Sequence, residues 1–298
     1  MPGKGWLCPF AYVLVLLIPF CLFVEASFAQ EPQETPEEAG QEAQSPDTKA
    51  TVGELAKAVQ NPVARLISVP IQNNNNFNIG PYSRTQDVLN IQPVIPVTLS
   101  ENWNLIARII QPIIWQPYSD APSGGDYGLG DMNPTFFLSP AKPGKIIWGA
   151  GPALVLPTAT STSLGQGKFS LGPSLVLLTQ PGHWSFAVLT SNVWSVAGSG
   201  SRPAVNEFSF QYFITYNFKK GYYLTSQPTI SANWEASSPN RWTVPWGGGG
   251  GRVMKLGAQP VNLRLLFYGN STRPPGAASW SMLAQISFLF PRAPKVQQ

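Results

Sequence analysis

The chain has 298 residues, of which 43% are hydrophobic and 12% aromatic but only 11% charged, with a net charge of +4. Plentiful aromatics exclude a charge-driven disordered chain, and 30 Pro with 27 Gly exclude a long-helix protein. A mean hydropathy of −0.03 instead points to apolar residues alternating with polar ones, as in an all-β secreted domain or a membrane β-barrel.

Residues 1–29 read as a signal peptide. Lys4 supplies a basic start, Phe10 to Val24 an apolar run broken by Pro19, and Ser27-Phe28-Ala29 a small-residue cleavage site before Gln30. The run is short of the ~20 residues a spanning helix needs. A lipidated Cys21 is an alternative that the bulky Phe20 before it opposes. Cys8 and Cys21 both lie in this segment and His183 is the sole histidine, so no metal and no cofactor is expected. Residues 30–50 carry Glu31, Glu34, Glu37, Glu38, Glu42 and Asp47 against Lys49, a balance of −5, and read as an acidic disordered linker. Residues 51–298 balance at +9 without a Lys/Arg cluster, so no nucleic-acid partner is expected.

The segment 51–64 holds one short helix. Thr51 and Glu54 form a capping box, Val52, Leu55, Ala56 and Val59 make one apolar stripe, and Pro62 stops it. It either plugs or gates the lumen of the following domain, or only covers its periplasmic end.

Residues 65–290 alternate with period 2. In Glu207–Phe218 six large apolar residues share one face: Phe208, Phe210, Tyr212, Ile214, Tyr216 and Phe218. Such runs predict twelve strands, at 65–78, 84–98, 103–116, 128–139, 146–157, 168–179, 183–195, 206–218, 222–235, 241–254, 260–270 and 278–290. Short turns alternate with longer loops, and the strand count is even. The predicted fold is therefore all-β, a transmembrane antiparallel up-and-down barrel with one N-terminal helix and a tail at 291–298. Pro70, Pro93, Pro112, Pro152, Pro173, Pro228 and Pro245 fall inside strands and must sit at bulges or strand ends, because a closed barrel has no edge.

The tryptophans support a lipid-facing exterior. Trp103, Trp115, Trp148, Trp184, Trp194, Trp234, Trp242 and Trp280 fall on apolar parities near strand ends, as an aromatic girdle requires, and Trp246 shares the apolar face. Outer-membrane lipids are thus expected partners.

The stretches GLGDMNP (128–134), WGAGPALVLPTAT (148–160), LGQGKFSLGP (164–173), NVWSVAG (192–198), YYLTSQPTISANWE (222–235), RWTVPWGGG (241–249) and QPVNLRL (259–265) resemble a family of bacterial proteins often labelled "neuromedin U". That family is akin to the barrels linked to phenol meta-pathway degradation. The resemblance implies a cell outer-membrane location and transport of small, including aromatic, compounds. Phe288-Leu289-Phe290 looks like the aromatic-terminated signal that the outer-membrane assembly machinery reads, although eight residues follow it.

Inward parity nominates Arg108, Asp131, Glu207, Gln211, Gln227, Arg241 and Arg264 as lumen-lining residues, either coating a pore or pairing to plug it. Asn73–Asn76 is an amide-rich constriction or a solvated strand end. Gly247–Gly251 has no following helix to make a phosphate loop and reads either as room for a bulky lumen or plug element or, equally, as a weakened, bulged strand without a function. No catalytic residue is expected, since His183 falls in a turn. Three functions remain open: passive passage of small, apolar or aromatic solutes through a porin-like channel; a plugged structural or surface-interaction barrel; and, ranked lowest, an outer-leaflet lipid hydrolase.

Overall fold

A computed structural model describes residues 51–291. The expected signal peptide, acidic linker and residues 292–298 lie outside the described residues.

Helix α1 spans Val52–Val59. The Thr51 backbone N–H donates to Glu54 Oε2 at 2.8 Å, and the Glu54 N–H donates back to Thr51 Oγ1 at 3.2 Å. The Thr51 backbone N–H, and after it the Thr51 hydroxyl, which donates to the same oxygen at 3.0 Å, hold the exposed Glu54 carboxyl below its ordinary value of 4.5. The buried face, Leu55 and Ala56, packs on Leu66, Tyr223, Val253 and Leu289.

Twelve antiparallel strands follow: β1 Leu66–Ile79, β2 Arg84–Ile91 continued by Val94–Thr98, β3 Trp103–Pro117, β4 Gly125–Leu129 continued by Asn133–Pro140, β5 Ile147–Val155 and β6 Lys168–Thr179. Next come β7 Trp184–Gly198, β8 Asn206–Asn217, β9 Tyr222–Ser226 continued by Thr229–Asn233, β10 Trp242–Leu256, β11 Gln259–Thr272 and β12 Trp280–Pro291. Each strand pairs with its neighbour in sequence, and β1 pairs with β12 from Leu66↔Pro291 to Phe77↔Trp280. The sheet is therefore closed and has no edge. All twelve predicted strands are present.

The chain returns at one end by the turns 99–102, 141–146, 180–183, 218–221 and 257–258, and at the other by 80–83, 118–124, 156–167, 199–205, 234–241 and 273–279. We refer to these as the turn end and the loop end. Loop 234–241 includes the short helix α2, Ser238–Arg241.

Five of the seven prolines fall where the ladders tolerate them, whereas Pro152 and Pro173 face each other in the middle of the β5–β6 ladder, at neither a bulge nor an end of it. Pro93 and Pro228 sit in the interruptions of β2 and β9. Pro245 sits at the register shift between β10 and β11. Pro70 and Pro112 face the interruptions of β2 and β4, where their carbonyls still accept from the N–H groups of Gln92 and Gly130, both at 2.9 Å. A residue without an N–H costs nothing opposite a gap.

Alternation puts the large apolar side chains outside. Leu224, Phe267, Phe290 and Trp246 are exposed, whereas Ser287, Asn262, Thr215 and Ser185 on the inner parity are buried. Trp103, Trp148 and Trp184 ring the turn end, with Trp103 against Trp148 at 6.0 Å and Trp184 against Tyr216 at 4.8 Å. Trp115, Trp194, Trp234, Trp242, Trp246 and Trp280 ring the loop end, with Trp234 against Trp242 at 5.5 Å and Trp280 stacked on Phe77 at 3.9 Å. Two aromatic bands around an apolar wall are the exterior of an outer-membrane barrel.

Candidate functional site: the lumen cavity

The lumen encloses a cavity of about 460 Å³. Its floor is the end of α1, Ala58 and Val59, and the chain leaving it, Gln60, Asn61 and Pro62. The Gln60 side chain fastens this floor to the turn end of the wall. Its Nε2 donates to Asn217 Oδ1 at 2.7 Å, and its Oε1 accepts from Ser185 Oγ at 2.7 Å and from Asn217 Nδ2 at 3.1 Å. Gln180 Nε2 donates to the Lys57 carbonyl at 2.9 Å. Val63 follows, buried against Ile106, Phe137 and Val176 on the inner face of the wall.

Above the floor, the strand registers assemble a polar row. Arg264 pairs with Gln285, Gln285 with Gln72 and Gln72 with Asn90, and all four line the cavity. Arg264 Nη2 donates to Gln285 Oε1 at 2.5 Å and to Gln72 Oε1 at 3.2 Å. Arg108 lines the same space and donates to Gln92 Oε1 at 3.2 Å. Ile110, Leu178, Leu189, Phe213 and Leu283 supply apolar wall between these groups.

Of the residues nominated by parity, Arg108, Gln211, Gln227 and Arg264 line the cavity; Gln211 Nε2 donates to the Gln227 carbonyl at 3.0 Å. The other three lie elsewhere. Asp131 falls in the interruption of β4 and accepts from the N–H groups of Ala159 at 3.1 Å and Gln166 at 2.6 Å. It lines a separate pocket under the loops with Gly165 and Arg202. Glu207 accepts from Gln166 Nε2 at 2.7 Å, so loop 156–167 covers it. Arg241 ends α2 ahead of β10, where its side chain donates to the Ala236 carbonyl at 3.3 Å and lies 5.8 Å from the centre of the Trp234 ring. Extrapolating strand parity across that helix misplaced it.

Asn74 and Asn76 line the cavity, whereas Asn73 has the outward parity and donates to Asp87 Oδ1 at 2.8 Å. The run thus contributes to both faces of β1. Among the glycines, a Cβ at Gly251 would strike the Tyr223 ring and the Leu263 carbonyl. Tyr223 uses that space to donate its hydroxyl to Asn262 Oδ1 at 2.7 Å. His183 Nδ1 sits 3.1 Å from the Asn217 carbonyl at the turn end. Among the described residues no cluster of three or more metal-ligating side chains occurs.

Gln60, Gln72, Gln92 and Gln285 were not nominated from sequence. The inward parity of Gln72, Gln92 and Gln285 was readable; their use as arginine partners was not. Arg202, which donates to the carbonyls of Gln166 at 3.1 Å, Thr162 at 2.9 Å and Gly165, was also missed.

No family model matches the chain, and no curated protein does. Among solved structures it is similar to the COG4313 outer membrane channel from Pseudomonas putida F1, at 15% identity and a TM-score of 0.59, covering 84% of this chain and 100% of that one. It is more distantly similar to the outer membrane phospholipase dimer from Salmonella typhi (11% identity, 81% and 99% of the two chains, TM-score 0.43) and to a FadL homologue from Pseudomonas aeruginosa (8%, 78% and 93%, 0.38). The first likeness establishes the shared fold; the other two are too loose to add to it. A likeness of fold does not bear on the "neuromedin U" label or on the meta-pathway link.

Proposed function

We propose that the protein is a channel for small solutes across the outer membrane. The observation that carries this reading is the cavity: the barrel holds about 460 Å³ of lumen, within the range of small-molecule sites, and closes it with a helix and its connector. A wall serving only as a scaffold would fill its interior with side chains. The mixture of amides, arginines and apolar residues suits a compact solute with both an apolar body and a polar end. The similarity to a channel of the same fold supports the reading.

The exterior suits outer-membrane lipid as the surrounding partner. Phe290 is exposed on that face and Leu289 is buried inside, so the terminal aromatic is displayed where assembly machinery could read it. Swelling of liposomes carrying the full protein, in isotonic solutions of small sugars, benzamide and benzyl alcohol, tests the proposal. Faster swelling than with empty liposomes is expected. No permeation by any probe would leave the plugged structural barrel in its place. The hydrolase reading gains nothing, because His183 turns to a backbone carbonyl at the turn end.

A further inference from the structure

Among the described residues the lining of the lumen cavity is cationic and includes no anion to neutralise it. Arg108 and Arg264 both line it. No Asp or Glu belongs to the lining. The carboxylates of the neighbouring elements are engaged elsewhere: Asp87 with Asn73, Glu207 with Gln166, and Asp131 with loop 156–167. The arginines rest instead on neutral amide oxygens, those of Gln92, Gln72 and Gln285. Replacing an ionic partner by an amide leaves the guanidinium charge uncompensated.

Donors are also in surplus. Arg264 Nε is buried without a hydrogen-bond partner, and so is Gln227 Nε2 on the same cavity. Gln227 is only 5% exposed, so bulk water does not relieve it. Buried donors left open cost stability unless something accepts from them. Guanidinium forks that line one cavity are the complement of a planar anion. Beside them, Ile110, Phe213 and Leu283 offer apolar surface that a fully hydrated inorganic anion would not use.

We propose that the lumen contains a binding site for small organic monocarboxylates, with the carboxylate held by Arg264 and Arg108 and the apolar body against the neighbouring wall. The site deepens the channel reading and rests on it for the way in. Its occupant brings the negative charge that the described lining lacks. A cation of the same size meets two like charges and no acceptor of opposite sign. The site therefore sorts solutes by charge before it sorts them by shape.

The test uses the full protein, with benzoate, benzamide and benzylammonium as probes of one shape and three charges. Equilibrium dialysis against the detergent-solubilised barrel measures binding, and uptake into liposomes measures passage. Benzoate is expected to bind at least about tenfold more tightly than either other probe, the worth of a charge-assisted pair. Arg264→Gln is expected to remove most of that preference, with Arg264→Lys restoring part of it by charge without the fork. Arg108→Gln provides an independent lesion if Arg264→Gln fails to give the folded, heat-modifiable band. Equal binding of the three probes, or a preference that survives both Gln variants, overturns the site. If benzamide enters liposomes while benzoate shows no preference in binding, the anion site falls and the channel stands. If benzoate binds as expected but no probe enters, the site stands and the channel reading falls.

Discussion

In the β10–β12 sector the ladders run from turn to loop with one shift, at Val244/Pro245; in the β2–β4 sector two of three strands are interrupted, at 92–93 and 130–132. The first sector gains continuity from side-chain economy. Gly251 removes a Cβ so that Tyr223 can lie against the backbone, and the hydrogen bonds of the strand itself do the rest. The second sector loses backbone bonds and recovers them from a loop. Thr158 Oγ1 accepts from Met132 N–H at 2.9 Å, Thr160 Oγ1 accepts from Leu129 N–H at 3.1 Å, and Asp131 takes two N–H groups of loop 156–167. One part of the wall is thus set by backbone pairing and the other by polar side chains that cross from strand to loop.

That difference can be broken from either side. The largest effect is expected at Gly251→Leu, which forces a side chain into the Tyr223 ring; overpacking should cost about 3 kcal/mol and appear as loss of the heat-modifiable folded band or a lower urea midpoint. Next is Asp131→Ala, which orphans the N–H groups of Ala159 and Gln166. A loss of about 2 kcal/mol is expected, with protease cutting concentrated in 156–167 while β10–β12 stays protected. Arg202→Ala releases three carbonyls of the same loop and should cost about 1 kcal/mol, again read as local proteolysis. If either loop variant unfolded the barrel as a whole, the two sectors would not be separable.

The smallest effect is expected at the cap of α1. Thr51→Ala removes a capping box and should loosen the helix by on the order of 1 kcal/mol, seen as more frequent conductance openings in planar bilayers without a change in barrel stability. The same cap gives a pH dependence. Because the folded carboxyl of Glu54 titrates below its ordinary 4.5, its contribution is complete above that value and is lost as pH falls through the lower folded value. Openings should therefore rise on acidification below about pH 4.5 in the native chain and rise less in Thr51→Ala.

Much of this architecture is legible in the residues, because period-2 alternation is written at every strand position. Glu207–Phe218 shows why: six large side chains on one parity leave the strand a single way to face lipid. Interruptions are less legible. Pro93 and Pro228 mark two of them, but the gap at 130–132 contains no proline and depends on a loop that closes over it. Arg108 and Arg264, on unbroken strand parity, line the cavity, whereas Asp131 meets loop 156–167 and Arg241 stands in a short helix. The arginine–glutamine row was invisible for another reason. It needs the register between β11, β12 and β1, and β1 lies some two hundred positions from β11 in the chain.

The junction of β1 with β12 also dictates an order of assembly. Residues 66–77 wait for 280–291 before their outer hydrogen bonds exist. Until the last strand arrives, the chain carries two raw sheet edges, which are templates for pairing with any other strand. Completion is then one late, long-range event rather than a sequence of local ones. A chain shortened before residue 280 should give open sheets prone to aggregation, not a smaller barrel.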